Sequence, residues 1–472
     1  MAKQIFNSSE KTNFILNMTE EKYSLIASWG ILSAVFCTTI ATAVPVFTGN
    51  KLYTISAMGL TLGGVICMIL ALIGMVKKYI SKSVIIPVGA MGVTVVWAVL
   101  SLLTSSDKNV GMNGFPGRGE GLLAIIFYAC IFLTALSLKG DKARNTVIGG
   151  IIGNGVINSI VGILQIFTGN YSDFNRASLK LEVNAASGLS QTPLFLAMVL
   201  SISTGAALSY ALITKYKSTK AICLISACLF SFVTMFTYSL VGICGLALSA
   251  IVAIIMVFAA KAPKLNLLSV LSVIVPAVAA FLIVQGGNIG NIDSYRLYDG
   301  RLFWFADSYM RINSSGDYDA DAIDIDDIAD VHYNLNRKTM NIIENHGFTG
   351  TGPDQLAYPQ IYTYGMVDEA MATVEDVVIF NKGVFDRVYN EYLYTAATRG
   401  IPSAIAFVVT VLGVLVIGFR NFKKRKNPVT LLMTLLTGMS AVLFLICCTS
   451  TAFTPIFWAI AGCALVNAKE EK

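Results

Sequence analysis

The sequence predicts an all-α polytopic membrane protein with about twelve transmembrane helices and one large extracytoplasmic loop domain. Of its 472 residues, 55% are hydrophobic and only 13% are charged, which lies outside the range of soluble globular proteins. The apolar residues form many runs of roughly 20, the length that a helix needs to cross the hydrocarbon core. The alternating pattern of a transmembrane barrel is not found in the sequence, so we expect every span to be a helix.

Twelve apolar runs define the predicted organisation. The spans are expected near 24–47, 53–76, 83–104, 121–138, 146–168, 191–213, 220–240, 241–260, 267–285, 401–419, 429–448 and 452–467. Spans seven and eight must then meet in a very tight turn at Ser239–Gly242. The chain divides into a cytoplasmic segment 1–23, spans one to nine within 24–285, a loop domain 286–400, spans ten to twelve within 401–467 and a tail 468–472.

The basic residues predict the orientation. Twenty-one lysines and arginines fall in alternate, inner segments, against five in the short outer loops. Because cytoplasmic loops are enriched in basic residues, we expect both termini in the cytoplasm, the loop domain outside, and the protein in the plasma membrane. The formal charge of +6 follows from this topology, so no nucleic-acid partner is expected. Most of the nine cysteines lie in apolar runs without a CxxC, so neither a disulfide framework nor a zinc site is indicated.

The hydrophilic block from about 285 to 400 holds 18 of the 28 acidic residues and both histidines. Its pattern predicts helices at 296–313, 331–346 and 384–398, with a glycine-proline turn at 350–353. The acidic run 317–330 lacks the glycine and the final acid of an EF-hand, which favours a solvated surface. No metal motif is found in the sequence, and no metal site is predicted.

Arginines near helix starts on the predicted outer side are the first candidates for binding. Guanidinium forks bind phosphate oxygens, so several arginines together would suit a membrane-bound diphosphate. The alternative is that each arginine snorkels or pairs with an acid such as Glu120 or Asp386. The four arginines are Arg118, Arg176, Arg301 and Arg387.

The predicted helix 384–398 carries candidates for proton transfer. Steps of 100° place Arg387, Asn390, Glu391 and Tyr394 on one side of it. If the helix instead begins only at Asn390, Tyr389 is free to turn toward the site. The spans themselves hold almost no charged residues, which weighs against an ion-coupled carrier.

Four segments, in order and in topology, resemble the O-antigen ligase/polymerase family of membrane glycosyltransferases. The resemblance covers roughly 110–420 of the chain. The matching segments are Arg118–Leu122; Arg176–Ser178 with Ser187, Gly188 and Pro193; Gly300, Arg301 and Trp304 with Gly350–Pro353; and Asp386–Leu393 with Gly400 and Ile401.

This resemblance implies a GT-C-like helical enzyme without cofactor or required metal. Such enzymes move a glycan, with inversion, from an undecaprenyl-diphosphate carrier to a hydroxyl of a glycan, lipid or protein acceptor. By resemblance Arg301 and Arg387 would hold the diphosphate, and Arg118 and Arg176 would bind the same charge or the glycan. The substrate-binding set also includes Gly350 and Gly352, and the catalytic set is Tyr389, Asn390 and Glu391.

Two positions depart from the family pattern. Tyr389 stands where the family often has histidine, and Ser239 is followed by Leu240 where the family has Ser-Arg. A phenol with a pKa near 10 is a poor base at neutral pH, so Glu391 or a substrate-activated route is the alternative. The rival function is a polyisoprenoid-glycan flippase or carrier. The third interpretation is a sensor with an extracellular domain, and the absence of a recognisable cytoplasmic output domain in the sequence weighs against it.

Overall fold

The computed structural model describes residues 18–48, 54–115, 118–168, 185–237, 239–259, 267–286, 325–359 and 387–466. Within these ranges all regular secondary structure is helical. The helices are α1 (Glu20–Thr48), α2 (Thr54–Val76), α3 (Ile85–Thr104), α4 (Lys108–Asn113), α5 (Leu122–Leu136), α6 (Gly140–Thr168), α7 (Pro193–Ile213), α8 (Lys217–Met235), α9 (Leu240–Ala259), α10 (Leu267–Gly286), α11 (Ile325–His346), α12 (Glu391–Arg399), α13 (Ile401–Arg425), α14 (Pro428–Leu443) and α15 (Thr454–Ala464).

Eight of these helices are long and apolar enough to cross a membrane: α1, α2, α3, α6, α7, α8, α9 and α13. Four more, α5, α10, α14 and α15, are apolar but shorter. Each predicted span lies on one of these twelve helices, so the all-helical membrane class is confirmed. The count of twelve spans stays a prediction. Many large apolar side chains are exposed on the outside of the bundle, which is favourable in lipid and unfavourable in water. Examples are Ile40, Leu62, Ile225, Phe258 and Val416.

Several boundaries differ from the sequence predictions. Helix α8 ends at Met235, earlier than the predicted 240, and α9 begins at Leu240. The outer loop 105–120 contains the short helix α4, whose first turn is capped by the carboxylate of Asp107. The helix predicted at 331–346 is found as part of the longer α11. The helix predicted at 296–313 lies outside the described residues.

The centre of the bundle is α7, of which 89% of the most apolar stretch is buried. The Thr192 hydroxyl caps its first turn. Pro193 follows at the first helical position, where a backbone N–H would have no partner within the helix, so its absence costs nothing. At one end of the bundle, α13, α14 and α15 enclose a group of aromatic rings in tilted and edge-to-face contacts. These rings are Phe407, Phe444, Phe453, Phe457 and Trp458.

The predicted cytoplasmic ends of the helices are joined by polar contacts. Lys139 Nζ lies 3.6 Å from Glu20 Oε1, linking the end of α5 to the start of α1. Arg144, fully buried near the start of α6, pairs with Asp141, which also accepts a hydrogen bond from Asn427 Nδ2. These contacts tie α1, α5, α6 and α14 together at one end, and the candidate site lies at the opposite end.

Candidate functional site

Buried charged side chains gather where the predicted outer ends of α3, α5, α13, α14 and α15 meet. They come from the loop between α4 and α5, the loop after α11, and residues 387–399. Each is at most 9% exposed. Buried charges are costly unless they are paired, so such a concentration marks a structural network or a functional site. Three arginines face three carboxylates here: Arg118, Arg387 and Arg399, with Glu120, Asp354 and Glu391.

The shortest ion pair within this cluster joins Arg387 to Glu120. Arg387 Nη2 lies 2.5 Å from Glu120 Oε2, and Nη1 donates to the carbonyl oxygen of Thr449 at 3.1 Å. The guanidinium also lies 5.1 Å above the centre of the Phe195 ring, from the first turn of α7. Among the described residues, Nε of Arg387 has no hydrogen-bond partner. This arginine therefore keeps one donor for a further acceptor.

Burial raises the pKa of the Glu120 carboxyl to about 7, although the neighbouring Arg387 lowers it. The carboxylates of Asp354 and Glu391 add to the increase, because three like charges share one buried region. Burial and the charge of Asp354 also raise the pKa of Tyr394, so its phenol stays protonated at neutral pH. Glu120 is thus a carboxyl that can change its protonation state in the physiological range.

Asp354 fastens the loop after α11 to the rest of the cluster. Its Oδ1 accepts a hydrogen bond of 2.5 Å from the hydroxyl of Tyr394 and lies 3.1 Å from Arg118 Nη2. Its Oδ2 accepts from the backbone N–H of Phe115 at 2.7 Å. The guanidinium of Arg118 lies 4.5 Å above the Phe115 ring. Both oxygens of Asp354 are therefore engaged in holding Arg118 and α12 in place.

Glu391 joins α12 to the turn between α14 and α15. Its Oε1 accepts hydrogen bonds of 2.8 Å from Arg399 Nη2 and from Thr395 Oγ1. Its Oε2 accepts from the backbone N–H of Thr449 at 2.8 Å, and its own N–H donates to the carbonyl oxygen of Phe444. The residue is fully buried. These contacts engage both of its oxygens and fix the height of α12 on the bundle.

The three carboxylates border one small cavity of about 20 Å³. This volume holds a water molecule or a single hydroxyl group, and it is too small for a sugar ring. Its polar wall includes four members of the charged cluster, Glu120, Asp354, Glu391 and Arg399, together with Tyr394 and Thr449. Its apolar wall is formed by Met91, Ile125, Phe407 and Trp458.

Two glycines allow the loop after α11 to approach α12. Gly350 and Gly352 have φ of +75° and +117°, values that residues with a side chain rarely adopt. A Cβ atom on Gly350 would lie 2.4 Å from the carbonyl carbon of Thr398. The N–H of Gly352 donates to the carbonyl oxygen of Thr398 at 3.0 Å. The glycines therefore position Asp354 against the cluster, and their predicted contact with substrate stays a prediction.

Polar residues of α6 support the same end of the bundle. Asn158 Oδ1 and Gln165 Oε1 accept hydrogen bonds from the segment 187–190, with the shortest at 2.8 Å. This segment leads into α7, which carries Phe195 beneath Arg387. The polar groups found within the predicted fifth span thus hold a loop that borders the site.

Of the four arginines predicted to bind substrate, Arg118 and Arg387 are brought into one cluster, each beside a carboxylate. Arg176 and Arg301 lie outside the described residues. The pairing of Arg387 with Glu120 matches the alternative that the sequence left open, namely that an outer arginine pairs with an acid.

Of the two starts that the sequence left open for the helix ending near 398, the structure favours the later one, near Asn390, over a start at 384. Helix α12 begins at Glu391, because Asn390 is extended and its side-chain oxygen accepts the N–H groups of Tyr392 and Leu393 as an N-cap. Arg387 therefore reaches the cluster from the segment before the helix and not from a helical face. Tyr389 is 5% exposed in that segment. The catalytic roles predicted for Tyr389, Asn390 and Glu391 stay predictions.

Asp354 and Arg399 were missed as members of the site, and Glu120 was considered only as an ion-pair partner. Asp354 follows the glycine-proline turn, which is a local sign of a loop held in a fixed conformation. Arg399 stands two helical turns after Glu391, with Thr395 between them. Each signal is common in sequences, so neither identifies a site without the fold.

No family model matches this chain, and no curated protein matches it. Across the residues that it describes, the structure by itself defines the class: all regular elements are helices, and eight of them are long and apolar enough to cross a membrane. At one end of that bundle lies a buried cluster of arginines and carboxylates, and its three carboxylates and Arg399 border a small cavity.

Proposed function

We propose that this protein is a membrane glycosyltransferase of the O-antigen ligase/polymerase type. It moves an oligosaccharide from an undecaprenyl-diphosphate carrier to a hydroxyl of a glycan, lipid or protein acceptor, on the outer face of the plasma membrane. The observation that carries the proposal is that Arg118 and Arg387 pair with two of the three carboxylates that border one cavity. The distribution of basic residues predicts that this end of the bundle faces outward.

Such a reaction needs groups that stabilise the charge on the departing diphosphate. Preorganised cations in a water-poor site are well suited to this, because little reorganisation is needed as charge develops. Arg387 is held by Thr449 and Phe195 and keeps its Nε for a further acceptor. The second requirement is a carboxylate near the reacting hydroxyl, and the cavity borders three of them.

The charges of the described cluster balance, and this shapes how a diphosphate would bind. When all three carboxylates are ionised, they balance the three arginines, and the described cluster has no net positive charge to attract an anion. A bound diphosphate therefore needs the predicted arginines Arg176 and Arg301 as well, or the separation of Arg387 from Glu120. We assign Arg301 to the diphosphate and Arg176 to the diphosphate or the glycan, as the family resemblance implies.

The test is a transfer assay in detergent with purified protein and a pool of undecaprenyl-diphosphate oligosaccharides. The wild type is compared with Arg301→Ala and with Arg337→Ala, because Arg337 is an exposed arginine on α11. We expect a lengthened or newly anchored glycan and free carrier diphosphate from the wild type and from Arg337→Ala. We expect Arg301→Ala to lose at least tenfold in rate, since removing one charge-stabilising group commonly costs about 10²–10³.

If the wild type forms no glycosidic bond but labelled carrier crosses proteoliposomes, the transferase proposal is wrong and the flippase is favoured. Equal losses in Arg301→Ala and Arg337→Ala would remove the assigned role of Arg301 while leaving the reaction established.

A further inference from the structure

The three carboxylates at the cavity differ in how many of their oxygens are engaged. Both oxygens of Asp354 accept hydrogen bonds, and so do both oxygens of Glu391. Glu120 Oε2 is engaged with Arg387. Among the described residues, its Oε1 has one hydrogen-bonding neighbour, the hydroxyl of Tyr128 at 3.5 Å, which is longer than an ordinary O–H···O hydrogen bond. Within the described part of the chain, Glu120 Oε1 is thus the carboxylate oxygen at the cavity with room for another donor.

The position of Glu120 suits a reacting hydroxyl. Glu120 borders a cavity that accommodates one hydroxyl group, and its Oε2 contacts Arg387, which does not line that cavity. A base must lie within hydrogen-bond reach of the proton that it accepts. A hydroxyl in the cavity would meet Glu120 Oε1, while the diphosphate would meet Arg387.

We propose, on the basis of the proposed glycosyl transfer, that Glu120 is the general base that accepts the proton of the acceptor hydroxyl. This assignment replaces Tyr389 and Glu391 in that role. Glu391 then acts as a positioning residue, because its two oxygens hold Arg399, Thr395 and the turn at Thr449.

The step balances as a single displacement. The acceptor oxygen forms the new bond to the anomeric carbon as its proton moves to Glu120 Oε1. The bond between the anomeric carbon and the diphosphate oxygen breaks, and its electron pair leaves with the carrier diphosphate. Glu120 becomes neutral while the leaving group gains one negative charge. The proton then returns to solvent or to the diphosphate.

This proton transfer changes the charge seen by Arg387. While Glu120 is ionised, its carboxylate balances the charge of Arg387 at 2.5 Å. When Glu120 takes up the proton, Arg387 loses its partner at the moment the diphosphate gains charge. A single event therefore deprotonates the acceptor and releases a cation for the leaving group.

Burial raises the pKa of Glu120 and Arg387 lowers it, with a net value of about 7. This value fits the role, because a base works best when its pKa is near the operating pH. The transfer rate is expected to rise about tenfold per pH unit below that pKa and to level off above it, since only the ionised carboxylate accepts the proton. The charged and titratable groups facing Glu120 are Arg118, Arg387, Asp354, Glu391, Tyr128, Tyr394 and Cys448.

The experiment compares Glu120→Gln with Glu344→Gln, the same substitution at an exposed position of α11. Two quantities are measured for each: the transfer rate, and the binding of undecaprenyl diphosphate as a probe. We expect Glu120→Gln to lose about 10²–10⁴-fold in rate, the usual contribution of a general base. It should bind the probe at least as tightly as the wild type, because Arg387 loses its anionic partner. Glu344→Gln should match the wild type in both.

Retention of transfer by Glu120→Gln within about tenfold of the wild type would overturn the base assignment and leave the proposed function standing. Should Glu120→Gln fail to fold, the pH profile of the wild type decides, and a rate that is flat between pH 5.5 and 7 overturns it. If the wild type and Glu344→Gln both form no glycosidic bond, the proposed function fails first and the base assignment falls with it.

Discussion

The ion pair between Arg387 and Glu120 makes a sharp prediction about stability and pH. Both side chains are at most 4% exposed and the pair distance is 2.5 Å. In Arg387→Gln, the Glu120 carboxylate loses the cation that lowers its pKa. Leaving one charge of a buried pair uncompensated costs about 3–5 kcal/mol. The variant can avoid part of this cost by keeping Glu120 protonated, so the cost depends on pH.

The sign follows from the raised pKa. The folded state keeps the Glu120 proton that the unfolded chain releases, so this group lowers stability as pH rises from the ordinary carboxyl pKa to the folded value. In the wild type this loss ends near pH 7. In Arg387→Gln it continues, at about 1.4 kcal/mol per pH unit, until Glu120 ionises there too. Between pH 7 and 8.5 the gap between variant and wild type should therefore widen by about 2 kcal/mol.

The assay is denaturant titration in detergent micelles at pH 6, 7 and 8.5. Arg337→Gln is the matched control, because Arg337 is exposed and its removal leaves no buried charge. We expect its stability to stay within about 0.5 kcal/mol of the wild type at each pH. An Arg387→Gln gap that is the same at all three pH values would refute the buried, proton-linked pair.

Three further predictions address other parts of the structure. Gly350→Ala should lower stability by at least about 2 kcal/mol in a denaturant titration, because φ is +75° and a Cβ atom would lie 2.4 Å from a backbone carbon. Gly92→Ala is the control and should lose no stability, because nothing lies within 4 Å of the added Cβ atom. Asp141→Asn should cost about 1–3 kcal/mol in the same assay, because buried Arg144 loses a carboxylate that is itself 41% exposed, and the transfer rate per folded molecule should not change. Tyr389→Phe should retain most of its transfer rate in the detergent assay, and a loss above about 10²-fold would return Tyr389 to the role of base.

The fold class could be predicted from the sequence because lipid permits few solutions. Long apolar runs must be helices when they cross a bilayer, so each predicted span lies on a helix of the structure. The boundaries were less accurate, since caps decide them locally. At α12 the earlier of the two predicted starts is wrong, because Asn390 competes for the backbone donors of the first turn.

The site could be predicted only in part. Arg118 and Arg387 could be selected from the sequence, because few charged residues lie near apolar helices on the predicted outer side. Their partners could not be predicted, because they are distant in the sequence and meet only in the fold. Asp354, for example, accepts a hydrogen bond from the backbone N–H of Phe115, which lies more than two hundred residues away. The choice between Glu120 and Glu391 as a base depends on which oxygens are engaged, and no sequence pattern encodes that.

The central claim is that a lipid diphosphate binds at the buried cluster through Arg387. The most direct measurement is a cryo-electron microscopy structure of the protein with undecaprenyl diphosphate bound. We expect the phosphate oxygens to lie within hydrogen-bond distance of both Arg387 and Arg301. The diphosphate should therefore be found at the same end of the bundle as Glu120. Two results would contradict the claim. One is diphosphate bound at the opposite end of the bundle, near Arg144. The other is diphosphate bound away from Arg387 while the ion pair of Arg387 with Glu120 stays intact.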